Sequence, residues 1–491
     1  MNSVSATLIC LLGSASGFAE QAASSQVLHR TLDLQVGEVQ EVSLAPGRTV
    51  HVKLLELQEH RDDVNGAVRQ AVVRLDVDGQ VTNLVSGTYH LPVTLANVQI
   101  DCPITKGYLE KSGGQNPWGL LKGARLRLWP AGSAWIARGT FVYPAKQRWF
   151  ASYTQMANEP VFVDGGDLPA KKEIYYHFGL DMGGCEGLVD VVSATDGIVT
   201  SSGNEVLAGE PPDSPAEPRY DNLYIRDPRG WYYRYSHLKF IEAAIRPGAK
   251  VRLGQKLGVL GKEGGSGGWS HLHFDIWARQ PSGLWGIEEG YAFLWQAYQE
   301  EHPRQIVAVA RPHALVWAGQ KVVLDGSRSW GQGLQYEWRF TEGGTASGET
   351  VERTYEKPGV YCEILKVIDA VSRVDYDFMA VQVIDREHPD KPPPTIHATY
   401  APTFGIRPGD PITFKVRTFR DKAGGETWDF GDGTAEVKVR SDANADRYSP
   451  TGYAEARHVY DKPGHYLVSV EHLSADGVPA VARLQVRVGM E

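Results

Sequence analysis

Two stretches, RTYEKPGVYCEILKVID (353–369) and HVYDKPGHYLVSVEHLS (458–474), repeat the pattern Tyr-acid-Lys-Pro-Gly-x-Tyr and so limit what the chain can fold into. Pro-Gly makes a tight turn, because proline presets φ and glycine accepts positive φ at no steric cost. The residues after each turn alternate apolar and polar, which is the period of a strand. A tryptophan strand precedes each copy, LQYEWRF and GETWDFGDG. The last third of the chain is therefore an internal repeat of β units, over 304–386 and 394–489. DREHPDKPPPTIH between them reads as a stiff linker.

Both units resemble polycystic-kidney-disease (PKD) repeats, which implies immunoglobulin-like β-sandwiches. The second copy matches well, and the first lacks the Asp-Phe-Gly-Asp-Gly turn. In that turn Gly431 and Gly433 supply permissive backbone. Asp429 and Asp432 are read as partners of nearby amides in preference to calcium ligands. The resemblance also implies that the repeats bind surface polymers or proteins.

A chain of 491 residues exceeds one hydrophobic core and implies three or four domains. Strand-like alternation also fills 26–144, in RTLDLQV, RTVHVKLLEL and QAVVRLDVDG, and marks an N-terminal β-rich domain without recognisable chemistry. The net charge of −9 comes with no basic block, which excludes nucleic acid as a partner. The start, MNSVSATLICLLGSASGFAEQ, reads as a leader over 1–19, although no Lys or Arg precedes Arg30. Nothing downstream approaches the roughly 18 apolar residues of a membrane span. The expected location is outside the cytoplasm: periplasm, cell envelope or extracellular space. Beyond the leader remain Cys102, Cys185 and Cys362, an odd number that defines no disulfide framework and leaves a Cys102–Cys185 bridge open.

The chemistry lies between 145 and 300. In GWSHLHFDIW (268–277) strand alternation puts His271, His273 and Asp275 on one face and Leu272, Phe274 and Ile276 on the other. YYHFGLDMGG (175–184) holds His177 and Asp181 four apart. Its three glycines disfavour a helix, so it reads as a strand running into a loop. A further histidine, His237, ends WYYRYSH. Imidazoles and a carboxylate suit Zn²⁺, whose catalytic sites use three protein ligands. If His177, Asp181 and His273 hold the metal, His237 and His271 remain for proton transfer or oxyanion stabilisation. SSGNEVLAGEPPDSPAEPRYDN (201–222) reads as a surface loop.

These motifs, with ATDGIV and RPGAKVRLGQKLGVLG, resemble the lysostaphin-type (LytM) zinc metallopeptidases over about 146–297. The resemblance implies a mainly antiparallel β fold with one zinc per chain. It assigns His177, Asp181 and His273 as metal ligands and His237 and His271 as the catalytic pair. Two departures stand out: Ser270 replaces a common proline, and Asp275 a common glutamate. Neither is expected to touch a ligand.

The fold class is thus mainly β: a signal peptide (1–19), an N-terminal β-rich domain (26–144), an antiparallel β metallopeptidase domain (145–300) and two sandwiches. Residues 145–300 are expected to keep the site on their own, the repeats adding surface binding and no chemistry. The expected function is that of a secreted or envelope zinc metalloendopeptidase cutting peptidoglycan stems or cross-bridges. The alternatives are an exported zinc protease acting on extracellular proteins and a non-catalytic peptidoglycan-binding regulator.

Overall fold

The computed structural model describes residues 28–490 except 45–46, 88, 111–114, 158–175 and 423. The leader expected at 1–19 lies outside the described residues. Among these residues nearly every element is a strand. The exceptions are a 3₁₀ turn (Lys106–Leu109) and one α-helix (Tyr291–Glu301). No described helix is long and apolar enough to cross a membrane.

The N-terminal region packs two four-stranded sheets over a core that includes Val50, Leu54, Val73, Leu75, Leu126 and Leu128. Arg125 and Arg127 lie 1% exposed on one of them. Arg127 pairs with Asp101 and donates through Nη1 to Glu288 Oε1 (2.7 Å) of the following region. Tyr176 likewise donates to Val68 O (2.6 Å). The N-terminal region is thereby fixed beside His177.

The central sheet runs Glu205–Val206, Gly197–Ser202, Leu223–Arg226, Tyr232–Ser236, His271–Arg279, Leu180–Gly183 and Gln155–Ala157 in spatial order. Leu272, Phe274 and Ile276 enter its core as alternation requires. The helix was not legible as a separate element. Its Phe293, Trp295 and Tyr298 pack among Trp149, Phe150 and Phe141, so apolar residues surround it and no polar face marks the period.

In the C-terminal third, Trp338 and Trp428 are fully buried. The repeated motif has a common geometry. The last tyrosine donates to the lysine carbonyl four residues back, Tyr361 to Lys357 O (3.0 Å) and Tyr466 to Lys462 O (2.8 Å). It also packs on the first tyrosine, with ring centroids 4.6 and 4.0 Å apart. Asp429 accepts from Gly431 N and Asp432 from Thr434 N, the turn role expected of them. Among the described residues one parallel strand pairing, Val360 with Ala480, joins the two units, and Arg483 Nε of the second donates to Cys362 O (2.8 Å) of the first. Cys102, Cys185 and Cys362 are buried and free, so the Cys102–Cys185 bridge is absent.

Candidate active site

Strand pairing assembles the site. Asp181 stands opposite His273, Gly183 opposite His271, and Ser236, just before His237, also opposite His273. Four of the five candidate side chains thus come from adjacent strands or their ends. His177 arrives from a bend, which corrects the expectation of a strand running into a loop: the bend precedes the strand Leu180–Gly183. Gly179 causes it. Its φ is +80°, and a Cβ there would lie 2.6 Å from Phe274 O.

His177 Nε2, Asp181 Oδ1 and His273 Nδ1 converge. Asp181 Oδ1 is 2.9 Å from His177 Nε2 and 2.8 Å from His273 Nδ1, and the two nitrogens are 3.0 Å apart. Donors on one tetrahedral ion with bonds of about 2.1 Å lie roughly 3.4 Å apart, so a few tenths of an ångström of spreading admits one. Burial opposes a charge on His273 and Arg234 repels it, yet bonds to Asp181 and Asp275 raise its pKa. Burial likewise opposes ionisation of Asp181, but His177 and His271 hold its pKa well below the carboxylate range. The point between these groups attracts positive charge. Two nitrogens and a carboxylate oxygen, all buried, fit a zinc-type ion.

His237 and His271 flank this set, their ring centroids 4.6 Å apart and His271 Nε2 3.4 Å from Asp181 Oδ2. Each Nδ1 meets a backbone carbonyl, Glu263 O at 2.7 Å and Trp269 O at 3.0 Å. A carbonyl can only accept, so both rings carry their hydrogen on Nδ1 and present a lone pair at Nε2. Desolvation pushes both pKa values below the usual histidine range. Asp221, buried and absent from the sequence expectation, accepts from His237 N (3.0 Å). Nothing local in the sequence pointed to it.

One of the two departures from the resemblance, Asp275, touches a candidate ligand, contrary to expectation; Ser270 touches none. Asp275 Oδ2 accepts from His273 Nε2 (2.9 Å), the ring nitrogen facing away from the cluster. Asp275 also accepts from Trp277 Nε1 (2.6 Å) and is clamped by Arg234. Burial opposes its ionisation, and the Arg234 charge overcomes this to lower its pKa. It sits where a carboxylate orients a metal-binding histidine. The signal was present in the alternation of His271, His273 and Asp275, with Arg234 paired directly across. Ser270 N donates to Tyr453 OH (2.7 Å) of the second repeat. The repeat expected to stand apart from the chemistry therefore contacts the residue preceding His271.

Four histidines and one carboxylate thus gather on an antiparallel sheet, the donor set of a metal-dependent hydrolase. Residues 175–282 match Peptidase family M23, and residues 304–383 and 397–479 match PKD domains. The chain carries an M23 peptidase domain followed by two PKD domains. Among solved structures it is similar to a mutant catalytic domain of the prophage-encoded M23 protein EnpA from Enterococcus faecalis (18% identity, 27% of this chain, 85% of that chain, TM-score 0.18). It is also similar to lysostaphin in solution (13%, 49%, 91%, TM-score 0.23) and to Helicobacter pylori Csd3 (13%, 55%, 80%, TM-score 0.20). The assignment rests on the family match.

Proposed function

We propose that the protein is an exported metalloendopeptidase, holding one zinc per chain, that hydrolyses peptide bonds in peptidoglycan stems or cross-bridges. The observation that carries this reading is the convergence of His177, Asp181 and His273 beside two histidines whose Nδ1 atoms are held by backbone carbonyls, which leaves Nε2 as the atom to take a proton. The lysostaphin-type resemblance supports peptidoglycan as substrate, and the leader expected at 1–19 would supply export.

His177 Nε2, Asp181 Oδ1 and His273 Nδ1 would hold the ion, with Asp275 fixing the His273 ring. Bound there, zinc supplies Lewis-acid chemistry that acidifies a water and polarises the scissile carbonyl. One of His237 and His271 takes the proton of the attacking water at Nε2. As the C–N bond breaks, the imidazolium returns that proton to the leaving amine. Because both Nδ1 hydrogens are committed to carbonyls, neither ring needs to change tautomer to accept it. The PKD domains would hold the enzyme on surface polymers or proteins.

Elemental analysis should find about one zinc per purified chain, and chelation should abolish hydrolysis of a soluble muropeptide until zinc is restored. A folded protein without zinc affinity at neutral pH would overturn the reading.

A further inference from the structure

Segment 263–270, EGGSGGWS, touches both proposed catalytic rings. Glu263 O at one end accepts from His237 and Trp269 O at the other accepts from His271. The Trp269 indole also stacks on His271, with centroids 3.7 Å apart and planes 15° from parallel. A segment this rich in glycine has little preference for one conformation. Gly264, Gly267 and Gly268 all take positive φ. Something else must hold it.

The second PKD domain makes four hydrogen bonds to this short stretch. Tyr448 OH donates to Gly264 O (2.8 Å), Asn444 Nδ2 to Gly267 O (3.1 Å) and Arg417 Nη1 to Gly268 O (2.6 Å). Ser270 N donates to Tyr453 OH (2.7 Å), which meets His397 Nδ1 (2.8 Å). Trp269 packs on Phe419, and its ring lies 5.2 Å from that of His397. Two local features belong to this contact. A Cβ on Gly268 would lie 2.1 Å from Asn444 Oδ1, so glycine admits the PKD loop. A proline at 270 would lack the N–H that Tyr453 receives. The peptidase region adds its own ties, with Gly264 N donating to Tyr220 OH (2.8 Å) and His271 N to Gly261 O (3.0 Å). Gly268 N also donates to Ser266 Oγ (3.1 Å), so the PKD bonds add to a local tie, and they supply the partners of the Gly267 and Gly268 carbonyls.

We infer that the second PKD domain is a working part of the hydrolytic site: through Arg417, Asn444, Tyr448 and Tyr453 it fixes segment 263–270 and so positions His237 and His271. This rests on the reading of those histidines as the proton-transfer pair. Tyr453 and Trp269 are positioning residues. Their loss misplaces a ring without removing it, and displacement of a catalytic group by about 1 Å costs up to roughly 10²-fold in rate.

The test uses full-length, zinc-loaded Tyr453→Phe, Trp269→Ala and Trp269→Phe proteins. The readouts are kcat and KM on a soluble muropeptide, zinc content, and the ring signal of His271 in histidine-selective ¹³C NMR, assigned with His271→Ala. Tyr453→Phe and Trp269→Ala should lower kcat about tenfold or more, with KM within about twofold and zinc stoichiometric. The His271 signal should shift or broaden, and Trp269→Phe, which keeps a stacking ring, should recover most of kcat. An unmoved His271 signal, or kcat within about twofold in both variants while only thermal stability falls, overturns the inference. Should the wild type cleave nothing while the His271 signal still moves, the peptidase reading fails and the positioning contact stands.

Discussion

Asp275→Asn isolates the carboxylate behind His273 at almost constant volume. Three donors converge on its two oxygens: His273 Nε2, Trp277 Nε1 and Arg234 Nη2. An asparagine offers one acceptor oxygen and places an NH₂ against the remaining donors. The variant therefore loses the orienting bond to His273 or keeps it at the expense of Trp277 and Arg234. Loss of a carboxylate that orients a metal-binding histidine weakens metal affinity about 10–100-fold, or about 1.4–2.7 kcal/mol. A second effect is on stability. The Asp275 side chain is 0% exposed and that of Arg234 14%, so neutralising one partner leaves a largely buried charge, at about 3 kcal/mol or more. Competition with a zinc chelator at pH 7 measures the first effect and thermal unfolding of the zinc-free protein the second. Zinc affinity within about twofold of wild type, while Asp181→Asn in the same assay loses it, would refute the reasoning.

His273→Ala and Asp181→Ala should lose bound zinc, because each removes one of three protein donors; elemental analysis decides it. His271→Ala and His237→Ala should keep zinc yet slow muropeptide hydrolysis by about 10²–10⁴-fold, and equal zinc loss in His271→Ala and His273→Ala would contradict the division of roles. Glu289 is buried, and desolvation pushes its carboxyl up to about 7 from 4.5. A raised carboxyl pKa leaves stability intact below the unfolded value and loses it as pH rises towards the folded one. Glu289→Gln should therefore gain up to about 3 kcal/mol at pH 8 and little at pH 4.5, measured by denaturant unfolding at both.

Alternation alone placed His271, His273 and Asp275 on one strand face, because a period of two is a property of the backbone and not of its surroundings. The repeated Tyr-acid-Lys-Pro-Gly-x-Tyr was legible for a similar reason, since its tyrosine–lysine bond closes within four residues. The bend at Gly179 was not. Its cause is the close approach of Phe274 and Asp275, almost a hundred residues away in the chain. Asp221 and the PKD contact escaped for the same reason: Ser270 and Tyr453 are 183 residues apart. The fixed shape of 263–270 was not legible either, because the partners of its carbonyls are supplied by another domain. The helix Tyr291–Glu301 was hidden by burial on most sides, which erases the polar face that periodicity needs.

The central claim, that this site cuts peptide bonds of the cell wall, is tested most directly by digesting purified sacculi with the zinc-loaded full-length protein and identifying the soluble products by mass. Matched pairs of new amino and carboxyl ends within stem or cross-bridge peptides are predicted, absent after chelation and absent with His273→Ala. Intact sacculi after incubation with protein shown to hold stoichiometric zinc would contradict it.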